Sequence, residues 1–371
     1  MRLLFFNLVL LFLVTSDGAF SLGDTVKGAL GKVGLSDTLS GVKDQLKNGK
    51  LKINSALKKT KGKWMELSDD LFDASLKELK ISIKDDNDKK MKKKKFKFNL
   101  AKAEELTKKS KNALFGITKF SFIDLDEFKM KFMMKPVPVD QIPVGHAKKN
   151  GKNRSKRAAS SMDLRKWGAI PPVRDQKNCG GCWSFATAST METSHFRRTG
   201  RLLDLSEQQF INCDIQNHGC YGGWMATAYK YAKSNDIPLE YANPYKAVDS
   251  SCRIPTGTTI RVANYSQLSP RDTISMMNAL EDGYSLAIAL KSGTYDFMYY
   301  TGGILDYPYD CNDNVVDHAV VIVGYGTSNG IPFWIVRNTW GTGWGESGYV
   351  RIRKGINYCN METFPFFVDT A

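Results

Sequence analysis

Of the seven cysteines in this chain, Cys182 stands in a setting suited to nucleophilic chemistry, within Gln176-Lys177-Asn178-Cys179-Gly180-Gly181-Cys182-Trp183-Ser184-Phe185. The apolar spacing that follows, Phe185, Ala188 and Met191, predicts a helix from Cys182 to Arg198 that ends before Gly200. A thiol in the first turn of a helix sits at the positive end of the helix dipole, which favours the thiolate needed for attack on a carbonyl. The two glycines before it allow backbone to approach a substrate closely. A Cys-x-x-Cys pair would also serve as a redox couple or half a metal site. No βαβ pattern surrounds this pair, however, and Cys213 to Cys220 supplies no second short spacing for zinc, so no metal and no cofactor are expected.

A thiol nucleophile needs a base, and the chain has four histidines. His146 falls in a polar linker, and His218 beside Cys220 reads as an exposed loop residue. His195 lies on the same helix as Cys182, roughly 20 Å along it at about 1.5 Å per residue. That leaves His318, at the head of the apolar run Ala319-Val320-Val321-Ile322-Val323-Gly324. Asn338 suits the third role, since a neutral amide oxygen accepts from an imidazole without taking its proton, and Trp340 nearby can keep water off that bond. Gln176 brings a side-chain NH₂ that, with the Cys182 backbone N–H, would make an oxyanion hole.

Several elements must position these groups. Besides the Cys182 helix, Ser206 offers an N-cap for a short helix, and Gly223 to Lys233 reads as a third helix. Ser285 to Leu290, Ala319 to Gly324, Phe333 to Arg337 and Tyr349 to Arg353 read as strands. A helical half followed by a β half predicts an α+β unit with a cleft between two lobes.

Charge and cysteine content divide the chain near Arg157. Residues 158–371 hold 18 Lys and Arg against 20 Asp and Glu, while residues 1–157 hold 35 against 18, a net of +17. The overall charge of +15 therefore belongs to the N-terminal part and does not argue for nucleic acid as a partner. All seven cysteines follow Arg157, and an odd count in a secreted domain predicts three disulfides and one free thiol. One Arg and the apolar run Leu3 to Val14 read as a secretory signal spanning 1–18, with cleavage between 16 and 21. No other stretch is long and apolar enough for a transmembrane anchor. Residues 136–157 read as a linker ending in Arg154-Ser155-Lys156-Arg157, a site for a proprotein convertase or else a chance basic cluster. The Lys89 to Lys95 run reads as a solvated helix face, with polyanion binding as the alternative. Asn153 and Asn264 stand in Asn-x-Ser glycan acceptor sites.

Over residues 160–371 these stretches resemble the papain family of cysteine proteases, in its cathepsin L-like branch. The matches are Gln176 with Cys179 to Phe185, Leu205-Ser206-Glu207-Gln208 through Cys213-Asp214, Gly219 to Gly223, Asp317-His318-Ala319, and Asn338-Thr339-Trp340-Gly341. Gly181, Thr339 and Leu164 depart from residues usual there, and none removes a catalytic atom.

The resemblance implies a papain-like fold with a helical left lobe and a β-barrel-like right lobe, behind a mainly helical prodomain. It implies an endopeptidase acting through a thioester acyl-enzyme, with Cys182 and His318 as a thiolate and imidazolium pair. The disulfides it implies are Cys179 with Cys220, Cys213 with Cys252, and Cys311 with Cys359. It places Gly222, Gly223, Trp224, Met225, Ala319 and Trp340 at the substrate, with an apolar pocket for the second residue before the scissile bond. Partners would be peptide and protein substrates, the chain's own prodomain and cystatin-type inhibitors, within the secretory pathway, lysosome or extracellular space.

The N-terminal part resembles the family's inhibitory prodomain over about 60–135. Gly116-Ile117-Thr118-Lys119-Phe120-Ser121 and Asp126-Glu127-Phe128 are recognisable, with Phe122 where Asp is expected. The family's interspersed helix motif keeps Asp88, Lys92, Phe96 and Asn99, while Ala103 and Thr107 replace its later members. The propeptide would span 19–157 and the catalytic domain 158–371. A non-catalytic homologue would be expected to have lost one of Gln176, Cys182, His318 or Asn338; a purely structural protein would leave the free thiol unexplained.

Overall fold

The computed structural model describes residues 39–60, 62–142, 159–254 and 256–371. The expected signal segment, His146, Asn153 and the Arg154 to Arg157 run lie outside the described residues.

The Cys182 helix runs Cys182–Thr199 and stops at Gly200, which takes the left-handed conformation (φ 72°) that glycine adopts without strain. Thirteen consecutive residues of it, Cys182 to Ser194, are buried, so it is the central helix of its lobe. The Ser206 hydroxyl caps the next helix, Glu207–Cys213, by accepting from Gln209 N–H. The third helix is Met225–Ser234. Three disulfides, Cys179–Cys220, Cys213–Cys252 and Cys311–Cys359, pair as the resemblance implied, and Cys182 is the free thiol. Each closes a loop of 39 to 48 residues, worth about 4 kcal/mol in the chain-entropy account.

The second lobe is built on a nine-stranded sheet among the described residues. Its centre is the long strand His318–Ser328, antiparallel to Leu286–Leu290 on one side and to Ile331–Arg337 on the other. Tyr349–Arg353 follows Ile331–Arg337, then Tyr300–Leu305 in parallel; on the far side come Phe366–Thr370 and Val262–Gln267. The four expected strands are present; five more complete the sheet, namely the three just given, Met162–Asp163 beside His318–Ser328, and Ala113–Phe115, and the helices Thr273–Glu281 and Tyr295–Tyr299 pack with them. Because Val321 pairs with Arg337, the head of one strand (His318) and the exit of its neighbour (Asn338) lie at the same end of the sheet.

The N-terminal region is helical from residue 39, some twenty residues before the expected start, and Val42 and Leu46 are buried. Its elements are helix 39–47, Ile53–Lys59, Ser68–Glu78, the long Asp86–Lys109 and Leu125–Phe132. Asn99 is buried and its amide donates to Ser121 O (2.9 Å) and Ile123 O (2.7 Å), pinning the long helix to the following loop. Phe122 packs its ring against Phe72 and Phe96, so the position expected to be acidic is part of an aromatic core. The lysine run is only partly the solvated face expected: Lys92 pairs with Asp88, Lys93 with Asp69, and Lys95 with Asp124 and Glu127.

This prosegment then joins the sheet. Ala113–Phe115 pairs antiparallel with Tyr300–Leu305, and Val137–Pro138, in the stretch expected to be a linker, pairs with Val315–Val316 in a separate two-stranded sheet. Among the described residues no helix is long and apolar enough to cross a membrane.

Candidate active site

Cys182 opens its helix behind Gly181, while His318 and Asn338 come from the same end of the sheet, so three elements converge on one point. All three side chains are fully buried. The Cys182 Sγ accepts from Ala319 N–H at 3.4 Å, which sets the thiol beside the strand that carries His318. His318 Nε2 lies 2.8 Å from Asn338 Oδ1. Asn338 Oδ1 also accepts from Thr339 N–H at 2.8 Å, so the amide is fixed as an acceptor and Nε2 is the protonated ring nitrogen. Nδ1 has no hydrogen-bond partner and carries the lone pair a base needs. Trp340 stacks on the imidazole with centroids 4.8 Å apart, shielding its contact with Asn338.

Gln176 is completely buried, and its Nε2 donates to Cys179 O (2.8 Å) and to Phe132 O (2.9 Å). The donor expected for an oxyanion is thus occupied by a peptide carbonyl of the prosegment. Two residues that sequence reasoning did not assign hold this glutamine. The Thr339 hydroxyl donates to its Oε1, orienting the amide, and Tyr245 Oη donates to its backbone carbonyl at 2.6 Å. Thr339 was visible in the sequence only as a departure from the family's usual residue. Asp317 was likewise unassigned; it is buried and accepts from the backbone N–H groups of Ser292 and Gly293.

Burial sets the protonation of the pair. It pushes the Cys182 thiol up to about 12, with the Ala319 N–H pulling the other way, and it pushes the His318 imidazole down to about 4 against the Asn338 contact. Under the prosegment, burial therefore works against the charged thiolate and imidazolium that the resemblance implies.

The prosegment accounts for this covering. Phe120 and Phe128 pack edge-on against Trp340, at 5.3 and 5.4 Å. Lys119 reaches Asp175, beside Gln176, at 2.7 Å. Met134 N–H donates to Asp317 O and Lys135 N–H to Tyr221 O. A Cβ on Gly222 (φ 128°) would lie 2.7 Å from Met134 Cβ, so the chain passes as close as the glycine allows. A Cβ on Gly223 would meet the Trp183 ring at 2.6 Å. Met225 and Ala319 are fully buried and Trp224 half-buried. Of the other histidines, His218 is exposed and His195 is half-buried at the far end of the Cys182 helix. Asn264 is exposed, on the strand Val262–Gln267 rather than in a loop.

A convergent thiol, imidazole and amide with an oriented glutamine define a thiol hydrolase covered by its own N-terminal segment, and comparison with known proteins agrees. The papain family cysteine protease profile matches residues 158–368, and the chain belongs to that family. Within it the chain stands in the cathepsin L-like branch, as a cysteine endopeptidase in precursor form. Digestive cysteine proteinase 2 of Homarus americanus is 34% identical over 277 residues, covering 72% of this chain and 84% of that protein. Cathepsin L2 of Homo sapiens is 38% identical over 212 residues, 55% of this chain and 63% of that one. The solved structure of digestive procathepsin L 3 from Tenebrio molitor larval midgut superposes with a TM-score of 0.71 at 30% identity, covering 82% of this chain and 99% of that chain.

Proposed function

We propose that the chain cleaves internal peptide bonds with Cys182 as nucleophile, His318 as base and acid, Asn338 as the group that orients the imidazole, and Gln176 as an oxyanion donor. The observation that carries this reading is the His318 Nε2 contact with Asn338 Oδ1, which leaves Nδ1 unpartnered next to the strand residue that touches the thiol. His318 takes the Cys182 proton, the sulfur adds to the scissile carbonyl, and the C–N bond breaks as the imidazolium protonates the leaving amine. Water then cleaves the thioester, giving its proton to His318 and restoring the thiol. The Gln176 amide and the Cys182 N–H stabilise the oxyanion.

Before activation the segment through Phe132, Met133 and Met134 fills the cleft and acts as inhibitor. Cleavage after Arg157, following signal removal, releases residues 158–371. Trp224, Met225 and Ala319 form the apolar pocket for the second residue before the scissile bond, with Gly222 and Gly223 receiving the substrate backbone. The cysteine framework and the prosegment support a secretory route ending in an acidic compartment or outside the cell. Digestive enzymes and cathepsins among the relatives support the same route. Cystatin-type inhibitors would bind the opened cleft, and Asn153 and Asn264 are the glycan acceptors.

Labelling of the processed protein with an epoxide or vinyl-sulfone probe tests the assignment. Wild type should label and Cys182→Ser should neither label nor hydrolyse peptides; hydrolysis by the mutant at the wild-type rate refutes it. N-terminal sequencing of the product should start at Ala158, and a start many residues away refutes the Arg157 site.

A further inference from the structure

Three consecutive prosegment residues, Gly116-Ile117-Thr118, are gripped alternately by the catalytic part and by the prosegment's own first helices. Gly116 N–H donates to Tyr299 O at 2.9 Å and the Thr118 hydroxyl donates to Met298 O at 2.8 Å, so the outer two hold the catalytic part. Ile117, between them, is held by Asn54: its N–H donates to Asn54 Oδ1 at 2.9 Å and its carbonyl accepts from Asn54 Nδ2 at 2.8 Å. One side-chain amide thus satisfies both main-chain groups of a buried residue. The approach is close, since a Cβ on Gly116 would lie 2.4 Å from Asn54 Oδ1. Lys119–Phe122, the short helix that covers Trp340 and reaches Asp175, follows these three residues directly.

Asn54 belongs to the helix Ile53–Lys59, upstream of the stretch from about 60 that resembles the family's prodomain. That helix is well anchored. Ile53, Ala56 and Leu57 are buried in one apolar cluster with Val42 and Leu46 of helix 39–47 and with Trp64. Ile53 N–H donates to the Glu78 carboxylate at 3.0 Å, and Leu57 O accepts from Trp64 Nε1 at 3.0 Å. The amide that grips Ile117 is therefore presented by a packed element and not by a loose end.

We propose that residues 39–59 form a brace that sets how tightly the prosegment closes the cleft: Asn54 fixes Ile117 and so keeps Gly116 on Tyr299 and Thr118 on Met298. This rests on the reading of the prosegment as inhibitor. Without the Asn54 amide, one N–H and one C=O of Ile117 are buried without partners and gain by opening to water, which shifts a local opening equilibrium about tenfold or more.

The full-length chain is labelled with the epoxide probe and read on the uncut protein alone, with the processed enzyme as reference. The wild-type precursor should label slowly, and Asn54→Leu, which keeps the side chain's shape without its hydrogen bonds, should label at least tenfold faster. Hydrogen exchange locates the change: residues 116–118 should lose protection in the variant while the helix Asp86–Lys109 keeps it. If the wild-type precursor labels as fast as the processed enzyme, the inhibitor reading itself fails. If it labels slowly and Asn54→Leu labels just as slowly, the inhibitor reading stands and the brace is refuted. Equal loss of protection along Asp86–Lys109 overturns the brace as well, because the substitution then acts on the whole prosegment and not through Ile117.

Discussion

Burial under the prosegment disfavours the charged forms of Cys182 and His318, so the reactivity of the thiol should change with covering rather than with sequence. Alkylation of Cys182 by iodoacetamide should be slow in the full-length chain from pH 5 to 8 and much faster once the prosegment is removed; equal rates in the two forms would contradict a burial-controlled thiol. At the same centre, Asn338→Ala frees the imidazole to rotate while leaving the nucleophile and base in place. A misaimed base costs about 10²-fold in kcat/KM, with little change in substrate binding, and steady-state kinetics on the processed mutant checks this. The residues proposed to react were legible in the sequence because each carries its own chemistry: a lone unpaired thiol, one eligible histidine, one well-placed amide. Thr339, Tyr245 and Asp317 were not, because their roles lie in what they touch, and their partners are fixed only by the fold.

Among the elements, the Cys182 helix could be read almost to the residue, since its stop at Gly200 and the Ser206 cap of the next helix are local signals. The strand Ala113–Phe115 could not, for its partner lies nearly two hundred residues later and its three residues, Ala-Leu-Phe, are all apolar, so the alternating burial leaves no mark in the sequence. Val262–Gln267 escaped for a related reason, as its burial does not alternate cleanly along the strand. The prosegment's long helix is held by Asn99, and Asn99→Ala would leave the Ser121 and Ile123 carbonyls without their donor. Each orphaned buried group costs about 1–3 kcal/mol. The mutant prosegment should therefore inhibit the processed enzyme more weakly when added in trans, and an unchanged inhibition constant would show that this loop is not held by Asn99. The lysine run was misread in part because charge density in sequence does not reveal acidic partners on other helices, here Asp69, Asp124 and Glu127.

Over the whole molecule, the ion-paired carboxyl groups of the prosegment and the buried ones of the catalytic part titrate in opposite senses, while partly exposed Asp236 is held down by Arg261. In the prosegment, Asp69 is held below the usual range by Lys97 and Lys93, Asp88 by Lys92, and Asp124 by the Glu127 N–H and Lys95. Stability that such groups contribute is present above their unfolded pKa, near 4, and is lost as pH falls through the lower folded value. In the catalytic part, burial raises Glu192 to about 7 and Asp317 to about 6, and pushes Glu207 well up. These folded groups keep a proton that the unfolded chain releases, so their contribution is full below the unfolded pKa and declines as pH rises towards 6 to 7. Acidification from pH 7 to 4.5 should thus firm the catalytic domain, and further acidification below about 4 should loosen the prosegment. Hydrogen exchange at pH 6.5, 5 and 3.5 checks this: selective deprotection of residues 39–142 at the lowest pH is expected, and uniform exchange across the chain would contradict it. Departure of the prosegment also bares the margin where Asn112 O receives Ile304 N–H and Tyr299 O receives Gly116 N–H. The active enzyme is left with a row of unsated main-chain groups, a template for any extended strand. The strand shaped to fit it is the one just shed, so activation becomes one-way only when the freed prosegment is itself cut to pieces.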